Sequence, residues 1–465
     1  MKDKNNNTIV SWFAKRLNLD KEVPKYATNP LYGLGGLATA CGILLAITGI
    51  FLSIGYQPVV EIAYESVGTI TNILPYGGVL RGIHRYAADF MIFFAVLHFF
   101  RIILTAAYRK PRELTWMIGI IIGVLVILTA YTGYILPLTE MAVAASFIGS
   151  GILLSIPYLG EGLFSLLIGS GGLPEMLGRF ATFHTVLLPG LIILGLMIHF
   201  LLIREHRVSE PYSERQDRTI VRFFPNLLLS EISGIVLISG VIVVIASLMP
   251  IEMGLKFEPL VGTPPVEPEW YLLALYAIFK TGLPIFEVGI LLVVGLLAIL
   301  LVIPFIDTEG NRHPKTRPFY TAFAVSLAIC IIVFTYWGYV TPGQTIPLTQ
   351  AAAVGLAIVL MIFIPSIILA NLKKKIQENV DTTKSDYQEM KKSNIRSIIA
   401  PIIMVGIVVL QIIFSLLALQ AHILGYWNTS ALFVGMTIIG FALSIFIYRT
   451  TYLPYSTTDQ NSYTC

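Results

Sequence analysis

The chain of 465 residues is 56% hydrophobic and only 12% charged, with a mean hydropathy of +0.79 and a formal net charge of +4. That balance excludes an ordinary soluble domain. The apolar residues come in long blocks rather than in alternation, and blocks of about 20 residues match the thickness of a bilayer. The small positive charge follows from where the basic residues cluster and implies no nucleic-acid partner.

Ten blocks read as membrane spans, in chain order roughly 31–54, 83–107, 115–136, 180–203, 229–249, 284–306, 319–340, 348–371, 397–420 and 429–448. The first lies too far from the N-terminus, and is too long, for a cleaved secretory signal. The apolar stretch 142–168 is interrupted by Gly, Pro and Ser, and reads as surface helices or a loop. Lys and Arg crowd the N-terminal tail, Arg109 to Arg112, Arg204 to Arg222, Arg312 to Arg317 and Lys373 to Arg396. The alternate loops are poor in basic residues and carry Glu61, Glu65, Glu140, Glu161, Glu252, Glu258, Glu267 and Glu269. The positive-inside rule then puts both termini in the cytoplasm of a multi-pass protein, expected in the cell membrane of a prokaryote. Cys41, Cys330 and Cys465 are scattered, with no CxxC or CxxCH spacing and no disulfide framework.

Four histidines stand out within these spans. His84 and His98 are 14 residues apart in the second, nearly on one helix face and about 21 Å apart along the axis. His184 and His199 are 15 apart in the fourth, at similar depths but about 60° further round. Both helices run outside to inside, so the levels pair as His84 with His184 and His98 with His199. That is the arrangement of two stacked bis-histidine haems. Histidine in a membrane span is costly, and two matched pairs argue against four unrelated core polar groups. Gly35 and Gly49 in the first span, and Gly119 and Gly133 in the third, repeat the 14-residue interval. They read as room for flat macrocycles at two depths, or as close helix packing. Arg81 and Arg101 flank the second span's histidines, either neutralising haem propionates or snorkelling to the interface. His206, His313 and His422 read as solvated surface residues. The fold class is therefore all-α: a polytopic membrane bundle of about ten transmembrane helices with a four-helix diheme core. Its parts are 1–206 with the histidines, 207–345 after a polar connection, and 346–465 with three further helices and no chemical motif.

The remaining distinctive stretch is Thr263-Pro-Pro-Val-Glu-Pro-Glu-Trp-Tyr271, on the outer side. A carboxylate flanked by proline and aromatics suits proton acceptance from a hydroquinone; an interfacial aromatic anchor is the plainer reading. Here the chain resembles the cytochrome b family of Rieske/cytochrome b complexes, cytochrome bc1 and b6f. Pro268-Glu269-Trp270-Tyr271 is similar to the family's PEWY signature. Arg81-Gly-Ile-His84-Arg85, His98-Phe-Phe-Arg101, Lys110-Pro-Arg-Glu-Leu-Thr-Trp116 and Arg179-Phe-Ala-Thr-Phe-His184-Thr-Val-Leu-Leu-Pro189 are similar to its cytochrome b6 side. Residues 230–340 look like subunit IV, which makes the chain a b6-like and a subunit-IV-like unit joined together.

The resemblance implies a diheme cytochrome b subunit of a quinol:cytochrome c (or similar acceptor) oxidoreductase, coupled to proton translocation. Two non-covalent b-type haems are implied, on His84/His184 and His98/His199, with quinol as substrate at the outer face and quinone near the inner one. The implied partners are a Rieske iron–sulfur protein, a c-type cytochrome or equivalent subunit, membrane lipid and a second copy in a homodimeric complex. Glu269 is implied to take a proton from quinol, Tyr134 to line that pocket with Pro268, Trp270 and Tyr271, and Arg204 to serve the inner quinone. The chain departs from the family in several places. Leu138, Thr139 and Glu140 stand where Trp, Gly or Asp, and Gln are usual, which alters the outer pocket and adds a second carboxylate. Gly33 occupies the position of the cysteine that binds an extra haem in b6 proteins, so no covalent haem is expected; Cys41 reads as a small core residue. Leu227 stands near a usual aspartate, with Glu231 a candidate substitute. The last three spans exceed both family halves, as though to dock a partner subunit.

Two other classes compete. A diheme membrane anchor of a quinone-linked dehydrogenase or hydrogenase needs only the four-helix unit and leaves the PEWY stretch unexplained. A transporter with intramembrane histidines wants broken helices and a site at mid-membrane.

Overall fold

The computed structural model describes residues 21–210, 219–258, 265, 267–281, 289–308, 312–377 and 395–452, with side chains outside 369–377, 395–402 and 450–452. Cys465 and part of the 263–271 stretch (Thr263, Pro264 and Val266) lie outside the described residues, as do the N-terminal tail through Asp20 and most of the Lys373 to Arg396 linker.

The first unit begins with α1 (Leu34–Gly55), then a short α2 (Ala63–Asn72), α3 (Gly77–Leu104) and α4 (Glu113–Ile135). Breakers delimit them: Gln57-Pro58 follows α1, and Leu74-Pro75 precedes α3, whose N-cap Tyr76 takes a left-handed φ of 59°. Residues 142–168 form α5 (Glu140–Leu154) and α6 (Gly160–Leu167), too short to cross a bilayer, as the sequence suggested. Thr139 caps α5 by accepting from the Ala142 N–H.

The fourth span runs through α7 (Leu173–Thr182), a π turn at Phe183–Leu187 and α8 (Leu188–His206). The π turn revises the expected histidine geometry. An i→i+5 turn holds one residue more than an α turn, so 15 residues from His184 to His199 carry the phase of 14. The lead of about 60° over four full turns expected from a regular helix becomes a lag of about 40°, the same as between His84 and His98. Pro189, lacking a backbone donor, sits where the regular ladder would need one.

The second unit comprises α9 (Leu228–Leu248), a short α10 (Trp270–Phe279), α11 (Leu291–Ile306) and α12 (Pro318–Val340). Three further helices follow: α13 (Leu348–Gln377), α14 (Ile395–Ile423) and α15 (Trp427–Tyr452). Nine helices among the described residues are long and apolar enough to cross a membrane. The expected span 284–306 is the exception. Its helix has 16 residues, about 24 Å of rise, and residues 282–288 lie outside the described ones.

In the packed bundle α1 lies on α3, α4 on α8, and α9 against both α1 and α3. Cys41, fully buried among Leu34, Ala87, Phe94 and Ile242, is a core residue at this junction. The terminal α15 lies along α9 through facing glycines: a Cβ on Gly240 would stand 3.0 Å from the Gly435 carbonyl oxygen. A small antiparallel ribbon, Glu22–Pro24 with Ile220–Arg222, joins the start of the first unit to the start of the second. It is the strand element the all-α expectation did not contain.

The two units are also stapled by a buried ion cluster. Asp307, 2% exposed, pairs with both Arg109 and Arg317, and Tyr108 donates to the same carboxylate. Sequence charge assigned Arg109 and Arg317 to surface loops; the carboxylate after α11 draws them inside.

Candidate functional site

Each of the four glycines singled out in the sequence stands against one of the four histidine rings. A Cβ on Gly49 would lie 3.3 Å from His84 Cε1, on Gly35 3.2 Å from His98 Cε1, and on Gly119 3.4 Å from His199 Cε1. Gly133 is tighter still against His184, with no room for a methyl group. The reason for glycine is thus the imidazole itself: the bare Cα lets a neighbouring helix close on the ring. The match also fixes the levels. Gly35 and Gly119 begin their helices and meet His98 and His199; Gly49 and Gly133 lie further along and meet His84 and His184.

At one level the His84 and His184 ring centroids are 6.1 Å apart. Two metal–nitrogen bonds of about 2 Å each, plus two half-rings, require a separation of this kind. Both Nδ1 atoms are engaged. His84 Nδ1 lies 2.9 Å from Thr48 Oγ1, and His184 Nδ1 lies 2.9 Å from the Thr129 carbonyl oxygen. Nε2 is therefore the nitrogen each ring retains for a metal, oriented by its other nitrogen's partner. These residues fit a bis-histidine haem. At the other level His98 and His199 lie close enough to interact; the His199 ring faces the Thr115 backbone, whereas His98 Nδ1 is buried with no hydrogen-bond partner among the described residues.

The arginines flanking α3's histidines hold protein groups. Arg81 donates to the carbonyls of Ile251 (2.8 Å) and Glu252 (3.2 Å), pinning the loop after α9. Arg101 stacks on Tyr32, its Cζ 3.9 Å from the ring centroid. Beside the first level, Glu269 stands at the residue before α10, makes no side-chain bond to the helix start, and pairs with Arg85, the residue after His84. Arg85 also reaches Asp89 at 3.0 Å, and the Trp270 indole donates to the same Asp89 oxygen at 2.8 Å. Tyr134 and Tyr271 are near enough to Glu269 to feel its charge, and Pro268 leads into the turn. Burial pushes the Glu269 carboxyl above its ordinary range; Arg85 pulls it down and Asp89 adds to the rise. Burial likewise pushes the Tyr271 hydroxyl up.

Some expected residues are not brought together. Arg204 is exposed near the end of α8. Glu231 rests on Gly33 and Gly36 at the start of α1, on the His98 side. Of the three histidines read as solvated, His206 differs, with its Nδ1 buried; His422 is exposed as expected, while hydrogen-bonding Tyr76 at 2.7 Å and packing against Trp427. Sequence reasoning missed Asp89, Thr48 and the role of Arg85. The available signals were an Arg–Asp i,i+4 pair just after His84 and a threonine beside Gly49.

Residues 19–207 match the family described as cytochrome b/b6/petB, and residues 256–360 that described as cytochrome b (C-terminal)/b6/petD. The chain is 32% identical over 359 residues to the cytochrome bc complex cytochrome b subunit of Chlorobaculum thiosulfatiphilum, covering 73% of this chain and 82% of that protein. It is 38% identical over 195 residues to the cytochrome b6 of Heliomicrobium gestii, covering 41% of this chain and 91% of the relative. A chain of a solved structure, a hyperthermophilic respiratory Complex III, superposes with a TM-score of 0.67 at 27% identity, covering 79% of this chain and all of that one. The chain is an integral membrane protein and belongs to the cytochrome b/b6 family, its b6-like and subunit-IV-like parts fused in one polypeptide.

Proposed function

We propose that this chain is the diheme cytochrome b subunit of a bc-type quinol oxidoreductase, oxidising quinol at the outer face and delivering electrons to a quinone at the inner face. The observation that supports it most is the His84–His184 pair, with its spacing and both Nδ1 atoms engaged, next to the Glu269–Arg85 pair. His84 with His184, and His98 with His199, hold two non-covalent b-type haems, which when bound supply a one-electron path across the membrane. Bis-histidine ligation leaves no open iron position and suits electron transfer.

Quinol loses two protons and two electrons at the outer face. Glu269, with Pro268, Trp270, Tyr271 and Tyr134 around it, takes one proton on its carboxylate. Its raised proton affinity matches that work: the nearer an acceptor's pKa lies to the operating pH, the more proton transfer helps the rate. One electron leaves to a Rieske iron–sulfur protein on a separate chain, and from there to a c-type cytochrome or equivalent subunit. The complex is a homodimer in a prokaryotic cell membrane, with both termini of this chain cytoplasmic. Arg204 and Glu231 serve the inner end.

Replacing Glu269 with Gln tests the reading. Quinol turnover should fall by a factor on the order of 10² or more while both haems stay bound. Unchanged turnover would remove Glu269 from the mechanism.

A further inference from the structure

Asp89 accepts at a single oxygen, Oδ1, from the Arg85 guanidinium at 3.0 Å and from the Trp270 indole at 2.8 Å. The same guanidinium pairs with Glu269, the residue before Trp270. Arg85, Asp89 and Glu269 are 29%, 23% and 17% exposed at their side chains, so water offsets little of any charge left over. We propose that Asp89 is a positioning residue of the outer quinol site, holding the Arg85 charge when Glu269 takes up a proton.

The charge count gives the reason. Arg85 with two carboxylates carries −1, and protonating Glu269 brings the trio to zero. Without Asp89 the pair starts at zero, and the same protonation strands a guanidinium. Asp89 therefore makes Glu269 a better proton acceptor, and its bond to Trp270 keeps the loop within Arg85's reach. The other groups facing Glu269 are Tyr134 from α4 and Tyr271 from α10, with Glu267 of the preceding loop beside Tyr134. Both tyrosines also lie within reach of the Arg85 charge, but as neutral phenols they add nothing to the charge count of the trio. The step moves one proton: an O–H bond of the hydroquinone breaks and one forms on a Glu269 carboxyl oxygen, while the electrons leave as described above. The inference rests on Glu269 as the acceptor.

The test is the pH profile of turnover in the assembled complex, with a short-chain hydroquinone as donor and a c-type cytochrome as acceptor. The acceptor must be ionised, so turnover drops as pH falls through its pKa. Asp89→Asn should move that acid limb down by about one pH unit, the scale of one neighbouring charge. It should also lower the optimum rate about tenfold, with the haem spectrum unchanged, and Asp89→Glu should restore both. An acid limb that stays in place in Asp89→Asn overturns the proposal. Should that variant fail to assemble, Trp270→Phe decides, because it keeps the Asp89 charge: its limb should hold position even as its rate falls, and a limb moved to lower pH contradicts the proposal. Glu269→Gln separates the two levels of the argument. If it turns over normally, the acceptor reading fails; if it is impaired while Asp89→Asn leaves the limb in place, only the role of Asp89 fails.

Discussion

The two histidine levels share a plan and differ in their surroundings. At the His84/His184 end, both Nδ1 atoms have partners, and the adjacent charges form a connected set, Glu269–Arg85–Asp89–Trp270. At the His98/His199 end, His98 Nδ1 is buried without a partner among the described residues, Arg101 stacks on a tyrosine, and Glu231 rests on glycine backbone. The compact ionic cluster on that side, around Asp307, joins the two units and lies away from the histidines. Polar side chains thus form a connected charged set beside the histidines at one end and a staple between the two units at the other.

That contrast can be broken in a graded series. The largest effect is expected from His184→Ala, which removes one ligand at the outer level. One of two b-type haem components should disappear from the optical spectrum while the His98/His199 component persists. Loss of both would mean that the levels do not bind independently. Next, Asp307→Asn leaves Arg109 and Arg317 around a neutral group. Breaking a buried pair costs about 3–5 kcal/mol, so the purified protein should unfold at a markedly lower temperature with its outer-site pH profile intact. Burial pushes the Asp307 carboxyl up, but hydrogen bonds from Arg109, Tyr108 and Arg317 hold it below its ordinary value. Its stabilisation is therefore full at neutral pH and lost only as pH falls below the usual aspartate range. The smallest effect belongs to Thr48→Val, which removes the His84 Nδ1 partner and nothing else at that ring. Loss of an outer-shell partner lowers metal-site affinity or activity about 10- to 100-fold. A haem titration should show this loss at the outer level alone.

Much of this was legible in the sequence, for physical reasons. Bilayer thickness sets span length, so nine spans could be placed within a few residues. Glycine and histidine in lipid are costly or conspicuous enough to mark the two levels. The rest depended on what sequence distance hides. The π turn at Phe183–Leu187 shifts phase by one residue, which a regular 3.6-residue count cannot register. Beyond its i,i+4 spacing from Arg85, nothing near Asp89 in the chain marks it, because Trp270 reaches it only through folding, from 181 residues away. Arg109 and Arg317 read as surface charge because Asp307, their common partner, lies far from Arg109 in sequence.

The central claim is that two matched histidine pairs each hold one b-type haem. A reduced-minus-oxidised spectrum of the purified chain, combined with haem quantitation, tests it most directly. The account predicts two b-type haems per chain, both extracted without covalent attachment, with one lost in His184→Ala and the other in His199→Ala. A chain without b-type haem, or one whose haem content is unchanged by either substitution, would contradict it.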